Sequence, residues 1–140
     1  MGWIEDAEAT AAAALSAAGP SVVRIGRGPG RGTGFVLQEG VVVTNAHNLR
    51  GPGRRHGHGP GARPGDSETE WPPVTVTFAD GRHERGTVAG VDADGDLVAL
   101  TVPTGAAPAI PWAPEGAAPA VGRVVFALSL PPGGGVRLTS

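Results

Sequence analysis

The sequence predicts an all-β fold, a closed or nearly closed antiparallel barrel entered through one N-terminal helix. Three observations carry that prediction. The apolar runs are short and rich in Val and Thr, the residues that suit a pleated, half-buried surface. Turn pairs such as Glu39-Gly40 and Asp80-Gly81 separate consecutive runs. The 24 Gly and 14 Pro gather between the runs, so they mark loops and leave the strands intact.

The elements follow in order. Ile4 to Ala18 reads as a helix, because it is Ala-rich and carries Glu5, Asp6 and Glu8 near its start, where the helix dipole favours negative charge. Gly19-Pro20 ends it. It is expected to lie on the surface and pack along one side. Strands are predicted at Ser21 to Gly26, Thr33 to Gln38, Gly40 to Thr44, Val74 to Phe78 and Arg85 to Val91. Leu97 to Val102 (LVALTV) reads as a strand buried throughout. The stretch 50–73 is polar, Gly- and Pro-rich, with Trp71 as its one large apolar side chain, and is expected to be a mobile surface loop. From Thr104 to Gly122 the composition shifts to Ala, Pro and Gly, as in a linker that Trp112 could anchor. Arg123 to Leu130 is a further predicted strand, and Val136 to Ser140 begins another. The domain reading is therefore a helix at 1–20, a barrel at 21–103, and at 104–140 a linker leading into a second, incomplete barrel.

Composition removes several classes of function. With no cysteine there are no disulfides, no thiolate chemistry and no Cys-based zinc sites. A net charge of −2 gives no global attraction to nucleic acid or anionic membranes. Arg24, Arg27, Arg31, Arg50, Arg54, Arg55 and Arg63 could line a basic patch, but the acidic DSETE segment and the overall neutrality weigh against it. The stretch GRGPGRGTG lacks the Lys and the following helix of a phosphate loop, so no nucleotide is expected there. The N-terminus MGWIEDAEAT has acidic charges and no long apolar run, which predicts a soluble, cytoplasmic chain without signal peptide or membrane span.

Four histidines are candidates for chemistry. His56 and His58 sit in the Arg-rich loop with no further ligands at hand, and Arg54 and Arg55 would repel a cation, so no metal is expected. His83 follows the Asp80-Gly81 turn and reads as a solvated turn residue. His47 differs, because it directly follows an apolar strand in VVVTNAHNL, where a rigid scaffold can present a general base. Asp96 opens the run DLVAL, and a partly buried carboxylate there needs a donor such as an imidazole N–H. Asp92 and Asp94 belong to the turn GVDADG and read as solvated.

The order GTGFVL, GVVVTNAHNL, VTVTFADGR and TVAGVDADGDLVAL resembles the first barrel of trypsin-like serine proteases of the HtrA/Deg type, and helix plus GPSVVRI resembles their lead-in. The resemblance covers roughly Leu15 to Val102 and continues more weakly through VGRVVFAL. It implies a trypsin-like six-stranded antiparallel β-barrel, with His47 as general base and Asp96 as its orienting carboxylate. Both roles are what the resemblance implies, carried over by position within the matching motifs. No cofactor is implied. The family's nucleophile stands in a Gly-x-Ser-Gly setting, and none of Ser16, Ser21, Ser67, Ser129 and Ser140 does. The expectation is therefore a truncated serine endopeptidase domain, inactive alone, whose substrates would be peptides or unfolded proteins once a second barrel completes it. The alternative is a non-catalytic binding module or pseudoprotease. Val124, Phe126 and Leu128 are expected to leave apolar edges exposed, which predicts a poorly stable or oligomeric chain or one that needs a complementing partner.

Overall fold

The structure is a computed structural model that describes residues 2–26, 32–49 and 71–139. Residues 27–31 of GRGPGRGTG, nearly all of the 50–73 loop, His56, His58, Ser67, Ser140 and every arginine considered for a basic patch except Arg24 lie outside the described residues.

Helix α1 spans Trp3–Ala18, one residue longer than its Ala-rich pattern predicts. Glu5 accepts a hydrogen bond from the Gly2 backbone N–H at 2.9 Å, which satisfies one of the unpaired donors at the helix start. Ala11, Ala14, Leu15 and Ala18 are half-buried and the rest of the helix is exposed, so one stripe at helical spacing packs on the body. Six strands then close a barrel. They are β1 (Val22–Ile25), β2 (Thr33–Gln38), β3 (Val41–Asn45), β4 (Val74–Phe78), β5 (His83–Asp92) and β6 (Leu97–Thr101). Around the barrel the order is β1-β2-β3-β6-β5-β4, every pair is antiparallel, and β4 returns to β1. Register shifts between Val36 and Gln38 and between Val88 and Gly90 mark bulges, which bend strands and help a sheet curl shut.

The period-two pattern of the strands explains the core. Val23, Ile25, Val36, Val42, Val76, Phe78, Val98, Leu100 and Val102 point inward and form one cluster with Ala46. β6 corrects the sequence reading in one respect. Leu97 is 46 % exposed, and burial alternates along the strand instead of running through it. Among the described residues no layer covers its outer face, as is common in antiparallel sheets.

The β4–β5 turn forms as the Asp80-Gly81 pair predicts. Gly81 has φ +89°, its N–H donates to Phe78 O at 2.9 Å, and Phe78 N–H donates to Arg82 O at 2.9 Å. The returning strand begins at His83, two residues earlier than expected. His83 is thus a strand residue opposite Thr77, and its Nδ1 shares a 2.8 Å hydrogen bond with Thr77 Oγ1.

Arg82 anchors the segment that leaves the barrel. Its guanidinium lies over the Phe78 ring at 4.3 Å and donates to Thr104 O at 2.6 Å. Thr104 is buried, and its Oγ1 accepts from Gly40 N–H at 2.9 Å. Further on, Ile110 N–H donates to Val36 O at 2.8 Å, and Trp112, 69 % exposed, meets Phe35 edge-on at 5.8 Å. The predicted strand at Arg123 to Leu130 shrinks to β7 (Ala127–Ser129), which pairs only with β8 (Arg137–Thr139) in a separate two-stranded sheet. Val124 is exposed as expected, together with Val121 and Val125, whereas Phe126 and Leu128 are half-buried.

Candidate active site

The site is built where β3 ends and β6 begins, two adjacent antiparallel strands with Asn45 opposite Leu97. After Asn45 the chain makes one 3₁₀ turn, Ala46–Leu49. Side chains three apart eclipse in such a turn. Ala46 and Leu49 therefore both face the core, Ala46 fully buried and Leu49 packed against the cluster. His47 is left on the outside, with its side chain 62 % exposed.

A second network locks this turn to β2. Thr44 Oγ1 donates to Thr33 O at 2.8 Å and accepts from Asn48 Nδ2 at 3.0 Å. Two glycines pack closely around it, and the backbone contact requires the one at Gly34. A Cβ on Gly34 would stand 2.7 Å from Val43 O and 3.2 Å from Thr44 Cβ, and one on Gly32 would stand 2.0 Å from the Asn48 amide. With no disulfide available, close backbone approach and hydrogen bonds hold the segment that carries His47.

Asp96 arrives from the other side. The turn before it is set by Asp92, exposed as expected, whose Oδ1 accepts from Gly95 N–H at 3.0 Å. Asp96 has φ +53°, the one left-handed non-glycine among the described residues. Asp tolerates this region better than most side chains, though not without cost. The conformation is held by bonds to β3 and the 3₁₀ turn. Asp96 O accepts from Ala46 N–H at 3.0 Å and from Asn45 Nδ2 at 3.1 Å. Asp96 Oδ1 accepts from His47 N–H at 2.9 Å, and Oδ2 receives a hydrogen bond from His47 Nδ1.

The structure thus brings His47 and Asp96 together and grips the carboxylate by both its oxygens. A proton held on Nδ1 by the carboxylate leaves the Nε2 lone pair pointing away from Asp96. That is the tautomer a general base needs. The Asp96 side chain is 42 % exposed, so the pair is open to water on one side. A cleft of about 340 Å³ lies beside the same turn, lined by Asn48, Leu49, Trp71 and Arg85 among others, but it includes neither His47 nor Asp96.

No described serine is bonded to His47. Ser16 is exposed on α1, Ser21 is buried in the 3₁₀ turn just before β1, and Ser129 lies in β7. Among the described residues there is no group of three or more His, Asp or Glu able to hold a metal ion, and no helix is long and apolar enough to cross a membrane. The sequence reading names His47 and Asp96 but passes over Asn45 and Asn48. The signal is present in TNAHN, two amides flanking the histidine at a strand end, where side-chain amides commonly satisfy loose backbone groups.

Comparison with known proteins agrees with this architecture. Residues 32–140 match the family described as trypsin-like peptidase domain. Among solved structures, a serine endoprotease from Yersinia pestis superposes with a TM-score of 0.65 at 24% identity, over 90% of this chain and 41% of that one. The inactive form of the Rv3671c protease gives 0.63 at 29% identity, over 89% and 52%. A serine-to-alanine mutant of Rv3671c from M. tuberculosis H37Rv, also an inactive form, gives 0.60 at 30% identity, over 89% and 50%. The chain spans about half the length of these structures or less. No curated protein sequence matches it significantly.

Proposed function

The chain belongs to the trypsin-like peptidase domain family, and on that premise we propose that it supplies the histidine and aspartate of a Ser-His-Asp serine endopeptidase of the HtrA/Deg type. His47 takes the proton of the attacking serine through Nε2 and later returns it to the leaving amine. Asp96 keeps the proton on Nδ1 and stabilises the imidazolium as it forms. The observation that carries this reading is the double hydrogen bond from His47, backbone N–H and ring Nδ1, to the two carboxylate oxygens of Asp96.

In this reading residues 21–103 are the first barrel, and 104–140 lead into a second. The nucleophile and the oxyanion-binding N–H groups come from outside these 140 residues, which hold no Gly-x-Ser-Gly segment. Without a nucleophile no acyl-enzyme forms. The 140-residue chain alone therefore gives negligible hydrolysis of an unstructured protein. Turnover that disappears in His47→Ala would overturn this assignment of the missing serine.

The alternative reading is a β-barrel module that binds and regulates a partner without catalysis. The two readings part on mutation. Partner capture by a binding module is unchanged in His47→Ala and Asp96→Asn, whereas the peptidase activity of a completed enzyme collapses in both.

A further inference from the structure

We propose that Asn45 is a positioning residue of this site: its side-chain amide fixes the left-handed peptide at Asp96 and so aims the Asp96 carboxylate at His47. The inference rests on the proposed pairing of His47 with Asp96 and extends it one residue outward.

Core packing does not place the Asn45 side chain. Asn45 is exposed at the end of β3, opposite Leu97, which is itself 46 % exposed. A residue at a solvent-facing strand end has no hydrophobic reason to hold one rotamer. Asn45 nevertheless directs Nδ2 to Asp96 O at 3.1 Å.

That carbonyl is a sensitive point. Asp96 has φ +53°, so its backbone sits in a well that L-residues populate only when neighbours impose it. A peptide carbonyl has two lone pairs. At Asp96 one is taken by Ala46 N–H at 3.0 Å and the other by Asn45 Nδ2. A single bond would leave the 96–97 peptide plane free to swivel about that contact, whereas two donors from consecutive residues fix its tilt. The Asp96 side chain springs from the same Cα. A swivel of the peptide therefore rotates the carboxylate away from His47 N–H and Nδ1, which are both on the rigid 3₁₀ turn. The backbone N–H of Ala46, the side chain of Asn45 and the backbone N–H of His47 thus form one continuous set of donors around Asp96.

The test uses the 140-residue chain and needs no nucleophile. An imidazole Nδ1–H held by a carboxylate gives a proton NMR signal far downfield of the amides, and His47→Asn identifies it by its loss. Asn45→Ala removes the amide. Asn45→Asp keeps its size but removes its donor. Asn45→Gln keeps a donor on a longer arm. The expected result is a sharp signal in the unsubstituted chain, its loss or severe broadening in Asn45→Ala and Asn45→Asp, and partial return in Asn45→Gln, with a cooperative unfolding transition retained throughout. A sharp signal at the original position in both Asn45→Ala and Asn45→Asp overturns the inference and leaves the His47–Asp96 pair standing. Loss of signal together with collapse of the unfolding transition in all three variants also overturns it, because Asn45 would then be a general structural residue. Absence of the signal in the unsubstituted chain removes the pair itself, and the inference with it.

Discussion

Substitutions at Asp96 separate what the fold needs from what the chemistry needs. Asp96 combines a left-handed backbone with a carboxylate that accepts two hydrogen bonds from His47. Asp96→Ala loses both acceptors and places an ordinary Cβ residue at φ +53°. The backbone strain costs about 1 kcal/mol. The lost hydrogen bonds cost about 1 kcal/mol more, a low figure because the pair is largely exposed and screened by solvent. The sum is a destabilisation of about 2 kcal/mol. Asp96→Asn keeps a side chain that tolerates the left-handed region and a carbonyl oxygen for His47 N–H, so its stability stays within about 0.5 kcal/mol of the original. Its amide, however, presents a donor where Nδ1–H also donates, which drives the imidazole to the other tautomer. Urea unfolding of the three chains, followed by tryptophan fluorescence, measures the differences directly. Equal stability of Asp96→Ala and Asp96→Asn would refute the reasoning, since it would mean that the backbone at Asp96 carries no strain.

Other substitutions test the scaffold. Gly34→Ala puts a Cβ 2.7 Å from the Val43 carbonyl between two paired strands and is expected to destabilise by about 1–3 kcal/mol in the same unfolding assay. Arg82→Met loses the guanidinium over the Phe78 ring and the bonds to Thr104 O and Pro103 O. Amide hydrogen exchange should then rise around residues 103–110 while β3 and β6 stay protected. Leu100→Ala opens the centre of the barrel and is expected to cost about 2–5 kcal/mol, enough to leave the chain unfolded at moderate temperature by circular dichroism.

Much of the barrel is legible in the sequence because its signals are local. The β2 and β4 spans fall where alternation and flanking turn residues put them, Thr33–Gln38 and Val74–Phe78. The Asp80-Gly81 turn is legible for the same reason. The departures depend on the environment. LVALTV contains almost nothing polar, so no pattern within it shows that burial alternates along β6 and leaves Leu97 exposed. RVVFALSL has the composition of a full strand. Only Ala127–Ser129 pairs, because a strand forms where a partner supplies hydrogen bonds, and β8 offers three residues. At the site, His47 and Asp96 stand out by residue type and position at strand ends. The left-handed conformation of Asp96 and the acceptor that the Asn45 amide meets arise from long-range pairing of β3 with β6; TNAHN marks the amide but not its target.

We propose that His47 and Asp96 are the base and the orienting carboxylate of a serine endopeptidase. The most direct test expresses the complete open reading frame that encodes these residues and follows hydrolysis of an unstructured protein, alongside His47→Ala and Asp96→Asn. The expected result is turnover that requires a serine in a Gly-x-Ser-Gly setting and falls by at least about a thousandfold in each variant. Hydrolysis that persists at the original rate in either variant would contradict it.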